Sequence, residues 1–240
     1  MNFFVNFIFL LNFLFVTCDT ECYNVLTSNN DRRENKKNLK IMQYNVEWLF
    51  LDYYKNSDCP GNGCTWKNKT MANTHIQYIS NVINKFNPDI INLCEVEGCD
   101  ELNMVIKNTS NNYNPYLIKG TDTSTGQNVG MLTKLDPINE LYHITDTYHY
   151  PISNSKCNYN GSGNVGVSKN YVSLFKWNDI NVAFISIHLL AYPTDHERCS
   201  KREAQAKIIE NLIIDYTNKN YEIFIIGDFN DYDNDIMDIN

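Results

Sequence analysis

Ile223-Phe224-Ile225-Ile226-Gly227-Asp228-Phe229-Asn230-Asp231 is an apolar run that breaks at a glycine and then presents a carboxylate and a carboxamide one residue apart. A buried strand offers polar groups at its open end in this way. Side chains alternate across a strand, so Asp228 and Asn230 are expected on one side and Phe229 on the other, turned back into protein. Three more runs end alike: Lys40 to Glu47 closes on Asn45 and Glu47, Asp89 to Glu95 on Glu95, and Val182 to His188 on His188. Hard oxygen donors of this kind suit Mg²⁺, which takes one or two carboxylates and keeps water for a substrate phosphate. Asn and His add donors for phosphate oxygens without cancelling the metal's charge. The set reads as metal-assisted phosphoryl or phosphodiester hydrolysis.

Between these strand ends the periodicity changes. Met71, Ile76, Ile79, Ile83 and Phe86 recur at helical spacing, and Pro88 closes the segment, so a surface helix is expected over 70–86. A strand at 40–46, this helix and a strand at 89–95 form a crossover that brings Asn45 and Glu95 to neighbouring strand ends. A short helix is expected over 100–108, and a strand over 127–134 whose Gly130 admits another backbone. Tyr171 to Trp177 and Asn181 to His188 read as a hairpin that aims His188 at the site. Ser200 to Asn218 places Ala204, Ile208, Leu212, Ile213 and Tyr216 on one face and reads as a long amphipathic helix. Arg202 and Gln205 on it are expected to tie helix to sheet. Glu47 and Glu97, each two residues from a candidate ligand, are candidates to share its face.

Asn45, Glu95, His188 followed by Leu189, and Gly227-Asp228-Phe229-Asn230 come in an order that resembles the endonuclease/exonuclease/phosphatase superfamily, the fold of deoxyribonuclease I. The likeness runs from about Leu39 to Asp231. It implies an α/β protein, a four-layered α/β sandwich of two mixed sheets flanked by helices. It further implies that Asn45 and Glu95 hold Mg²⁺, with Mn²⁺ as the alternative, and that His188 contacts the scissile phosphate. Asp228 and Asn230 would orient the attacking water and stabilise the crowded phosphorane. Family members carry a further strand with an Asp-His pair, and none of the five histidines here follows Gly227 to Asn230. The expectation is a truncated domain over 39–240 whose second sheet is incomplete, with an unpaired edge and open apolar surface. The implied activity is that of a secreted, endonuclease-like phosphodiester hydrolase acting on nucleic acid. The alternatives are a phospholipid phosphodiesterase with a membrane-lipid substrate, an inositol-polyphosphate phosphatase, and a catalytically inactive binding protein. No protein partner is implied.

With 240 residues, 43% of them hydrophobic, the chain can bury one substantial core. A formal charge of −8 argues against gripping nucleic acid by broad electrostatic attraction, though not against a nuclease. Part of that charge falls on Asp228, Asp231, Asp233, Asp235 and Asp238, beside the proposed metal. This acidic stretch lacks the central glycine and closing glutamate of a calcium loop. Phe3 to Val16 is apolar apart from Asn6 and Asn12 and is followed by Thr17-Cys18-Asp19, so residues 1–18 are expected to be a secretory signal peptide, with an uncleaved anchor as the rival. Residues 19–38 read as a flexible lead-in. Eight cysteines also favour an oxidising compartment. Cys94 is expected as a buried free thiol, and with Cys18 removed, Cys22, Cys59, Cys64, Cys99, Cys157 and Cys199 can pair in any of the ways six cysteines allow. Cys59 to Cys64 is a turn-rich loop that a local disulfide could close. Asn68, Asn108 and Asn160 stand in glycosylation sequons.

Overall fold

The computed structural model describes residues 21–22, 30–51, 66, 68–110 and 112–232. The expected signal peptide, the Cys59 to Cys64 loop and the acidic tail past Tyr232 lie outside them.

Two sheets form from the apolar runs. The first has the order β1-β2-β4-β3, from β1 (Ile41–Leu49), β2 (Ile90–Val96), β3 (Asn114–Leu117) and β4 (Asn128–Thr133). β1 and β2 run parallel, as the crossover requires, while β4 is antiparallel to both neighbours. A two-stranded ribbon, β5 (Thr147–Tyr150) with β6 (Gly163–Gly166), precedes the second sheet. That sheet has the order β7-β8-β9, from β7 (Lys169–Trp177), β8 (Ile180–His188) and β9 (Glu222–Asp228). β7 and β8 are the expected hairpin, closed by Asn178 in the left-handed region, and β9 adds parallel to β8.

The helices sit outside. α1 (Lys69–Phe86) is capped by the Asn68 side chain, which accepts from the Met71 N–H, and stops at a left-handed Asn87 before Pro88. α2 (Cys99–Lys107) joins it on the first sheet. α3 (His196–Asn218) starts a turn earlier than expected because Asp195 accepts from the Arg198 N–H and so satisfies the first free amides. Alternation then sorts the apolar side chains into three layers. Ile76, Ile79 and Ile83 of α1 and Leu102 of α2 meet Ile91 and Leu93 of β2. Ile90, Met131, Phe175 and Phe184 fill the space between the sheets. Ala183, Ile185 and Ile187 of β8 pack on Ile208 and Ile209 of α3. The result is the expected helix, sheet, sheet, helix sandwich. At Gly130 the close neighbour is a side chain, Leu102, rather than another backbone.

The described part of the expected lead-in is tethered rather than free. Arg32 grips Asp136 through both terminal nitrogens, at 2.9 and 2.6 Å, and Arg33 is buried against Asp31 and the Asn38 carbonyl. Cys22 is bonded to Cys99 at the start of α2. The polar composition of this segment concealed one specific ion pair to Asp136, just past β4, and a bond from Arg32 to the Thr133 oxygen at the end of that strand. Cys157 is bonded to Cys199, and Cys94 is a buried free thiol, as expected. Among the described residues, β1 and β9 each pair with a single strand, and Phe224 on β9 is 39% exposed.

Candidate active site

The site forms where β1, β2, β8 and β9 end together. Asn45 reaches its register by simple alternation, since Ile41 faces the other sheet and Asn45 is four residues on. Glu95 does not. Ile91 and Leu93 face the helices, so strict alternation would send Glu95 to them as well. Instead Glu95 adopts φ 69°, and the register slips between Cys94 and Val96. The bulge hands the helix side to Val96 and turns the carboxylate towards Asn45.

Asn45 Nδ2 donates to Glu95 Oε1 at 3.0 Å and to Asp228 Oδ2 at 2.9 Å. Its Oδ1 accepts from the Glu47 N–H at 3.0 Å, which fixes the orientation of the amide. Two carboxylates from different sheets thus share one carboxamide. Glu95 Oε2 accepts further bonds from the Trp48 N–H at 3.2 Å and Gln127 Nε2 at 2.9 Å. Asp228 Oδ1 accepts from the Asn230 N–H at 2.9 Å. Among the described residues neither carboxylate is in a salt bridge.

Asp228 comes this close because of the glycine before it. Gly227 has φ 148°, and a Cβ there would lie 1.8 Å from the Ile187 oxygen, so no other residue fits. Asn230 adopts φ 49° beyond the strand end, and its Nδ2 donates to the Leu189 oxygen at 3.0 Å. Phe229 departs from expectation: it is 46% exposed, because the strand has ended and alternation no longer governs it.

His188 is 4% exposed, and its Nδ1 has no hydrogen-bond partner. Burial, aided by the nearby Lys169 ammonium, pushes its pKa down to about 4, so the ring is neutral at physiological pH. Lys169 lies opposite His188 in the β7/β8 register and pairs with Asp122 at 3.4 Å. Burial alone would raise the Asp122 carboxyl, but hydrogen bonds led by Thr125, together with Lys169, hold it below its usual range. Glu95, His188, Lys169 and Asn230 line a cleft of about 950 Å³. A second opening of about 510 Å³, between the edges of β1 and β9, exposes Asn45, Asp228 and Asn230 from the other side.

All five sequence-predicted site residues therefore stand at one place. Glu47 and Glu97 do not join them. Glu47 and Trp48 both take left-handed conformations, and Glu47 points to solvent. Glu97 accepts the Leu51 N–H and interacts with the buried Glu101. Gln127, Trp48, Lys169 and Asp122 join the site as well, beyond the sequence expectation. Only Gln127 carried a signal, as a polar residue at the mouth of an apolar strand. Arg202 and Gln205 tie α3 to strand ends and loops rather than to the body of a main sheet, Gln205 through its Nε2 to the Gly166 oxygen of β6 at 2.9 Å. Buried Arg202 donates to the carbonyls of Leu190, Tyr192 and Pro193 at 3.0–3.3 Å and to Asp231 at 3.2 Å.

Among the described residues no three His, Cys, Asp or Glu side chains gather as a metal-holding group. The convergent donors are two carboxylates and a carboxamide; Glu95 Oε2 already accepts two bonds, while Glu95 Oε1, both Asp228 oxygens and Asn45 Oδ1 each accept one and keep a lone pair, a donor set that suits an octahedral hard cation that keeps several waters. No family model matches the sequence, and no curated protein matches it significantly. Similarity appears at the level of solved structures. A beta toxin structure from Staphylococcus aureus aligns over 80% of this chain and 66% of its own, with a TM-score of 0.51 and 18% identity. An endonuclease/exonuclease/phosphatase family protein from Leptotrichia buccalis aligns over 80% and 68%, with a TM-score of 0.47 and 15% identity. TDP2 from C. elegans aligns over 84% and 51%, with a TM-score of 0.49 and 16% identity. The chain thus spans about half to two thirds of the length of the structures it matches. Its architecture is the deoxyribonuclease I-like α/β sandwich, the fold it shares with the beta toxin structure.

Proposed function

We propose that this domain belongs to a secreted, Mg²⁺-dependent phosphodiester hydrolase acting on nucleic acid. The observation that carries the reading is the Asn45 carboxamide, which joins Glu95 and Asp228 across two sheets, neither carboxylate being in a salt bridge among the described residues. Asn45 and Glu95 would hold the metal, with Mn²⁺ as an alternative occupant. When bound, the ion supplies charge neutralisation at the phosphate and at the leaving oxygen. Neutral His188 offers an N–H to a phosphate oxygen, and Asn230 a carboxamide N–H to another. Asp228, an acceptor held by Asn45 and the Asn230 N–H, orients a water for in-line attack. Gln127 and the Trp48 N–H hold Glu95 in place so that the site needs little rearrangement. The Cys22–Cys99 and Cys157–Cys199 bonds support an oxidising, secretory compartment. No helix among the described residues is long and apolar enough to cross a membrane.

The test is product release from DNA, RNA, sphingomyelin vesicles and inositol polyphosphates, each with Mg²⁺ and with EDTA. Hydrolysis of nucleic acid that EDTA abolishes, and that Glu95→Gln lowers by roughly 10²-fold or more, is expected. Metal-independent turnover would refute the reading. Activity confined to the lipid or inositol arm moves the substrate, and silence in every arm with Mg²⁺ makes the domain an inactive binding protein.

A further inference from the structure

The cleft wall beyond His188 holds an aromatic platform that the hydrolytic site does not use. Tyr192 is 65% exposed, lines the cleft and takes φ 65°, a strained value for an aromatic residue. The Arg202 contacts to Leu190, Tyr192 and Pro193 hold its loop in this shape. One face of the Tyr192 ring carries the Arg198 guanidinium, 4.5 Å from the ring centre. The exposed remainder of the ring is free to stack. It stands four positions after His188, so the two Cα atoms are at most about 14 Å apart. The cleft also continues past this wall: Asp122, Ser124, Ser168, Leu190 and Lys201 line both it and an adjoining pocket of about 480 Å³ that reaches the β5/β6 ribbon.

Resting on the reading of the site as a phosphodiesterase, we infer that Tyr192, backed by Arg198, is a stacking subsite for an unpaired nucleobase flanking the scissile phosphate, and that the substrate is single-stranded nucleic acid. A planar base stacks on a cation-backed ring without needing charge of its own. A quaternary ammonium headgroup would meet the Arg198 charge through the same ring and be repelled. Duplex binding rests on a broad basic surface, which a net charge of −8 works against, and a duplex keeps its bases stacked on one another. Lys201, held over the buried Tyr150 ring at 5.2 Å and paired with Glu197 at 2.7 Å, supplies a fixed cation further along the groove.

The experiment is titration of a single-stranded oligonucleotide carrying one 2-aminopurine, in EDTA, read by fluorescence quenching and by anisotropy. The full chain should quench the probe and prefer single strand to duplex. Tyr192→Ala should abolish the quench and raise Kd roughly 10-fold, Tyr192→Phe should keep both, and Arg198→Gln should weaken binding. Equal quenching and affinity in Tyr192→Ala, a preference for duplex, or Tyr192-dependent binding seen only with phosphatidylcholine vesicles would overturn the inference. Since no hydrolysis is involved, Tyr192-dependent quenching in a protein that cleaves nothing upholds the subsite while the hydrolase reading falls. Cleavage of oligonucleotides with no dependence on Tyr192 does the reverse.

Discussion

Asn45→Asp changes one atom of the bridge from donor to acceptor and leaves its shape intact. Two hydrogen bonds, at 3.0 and 2.9 Å, lose their proton and become contacts between carboxylates. Bonds to charged acceptors contribute about 1.5–3 kcal/mol each, and partial exposure places these at the low end. The new carboxylate also lies about 3 Å from each of the others, a repulsion of about 1 kcal/mol per pair even in a water-like dielectric. In EDTA at pH 7.5 the variant should therefore lose about 3–5 kcal/mol, and Asn45→Ala, which adds no charge, about 2–3 kcal/mol. Lowering the pH to 5 lets a proton replace the missing donor, so the deficit of Asn45→Asp should shrink while that of Asn45→Ala stays put. Saturating Mg²⁺ should restore more stability to Asn45→Asp than it adds to the parent chain, because a third carboxylate oxygen faces the ion. Urea denaturation followed by tryptophan fluorescence gives each value. An Asn45→Asp chain within about 0.5 kcal/mol of the parent at pH 7.5 would show that the amide bridges nothing, and the site as drawn would fall.

Two more perturbations test the scaffold. Burial and the Glu97 carboxylate push the Glu101 pKa up to about 8, from 4.5. Below pH 4.5 the folded and unfolded chains both keep that proton; between 4.5 and 8 only the folded chain does, so stability falls across this window and levels above it. Glu101→Gln should accordingly gain on the parent from pH 4.5 to 8, by at most about 1.4 kcal/mol per pH unit, and a constant difference in denaturation midpoints would contradict the raised pKa. Replacing Cys157 and Cys199 together by serine opens a link across 42 residues and should cost about 2–4 kcal/mol. A melting temperature that reductant lowers equally in parent and variant would refute that value.

The strand-end logic placed Asn45, His188 and Asp228 because each follows an apolar run with undisturbed alternation. Glu95 was reached from the same reasoning for an incomplete reason. Its run, Ile90-Ile91-Asn92-Leu93-Cys94, would have turned it to the helices, and a left-handed residue corrects the face. No residue in that run announces a bulge. Glu47 fails for the mirror reason: its two-residue spacing from Asn45 suggested a shared face, but two successive left-handed residues end the regular strand there. The helices were legible to within a turn because hydrophobic spacing and caps are local. Pairings that depend on distant partners were not. Arg32 with Asp136, Lys169 with Asp122, and Gln127 with Glu95 join residues 104, 47 and 32 positions apart, and composition holds no record of them.

The bond from Asn45 to Asp228 closes a loop of 183 residues. The proposed centre thus draws on the first and the last of the described strands, and a ribosome must release nearly the whole described chain before this bond can form. A fragment that ends before Asp228 or begins after Asn45 lacks one side of this bond. The bond between the sheets and their packing arrive together, and any loosening that parts the two sheets breaks the Asn45 to Asp228 bond.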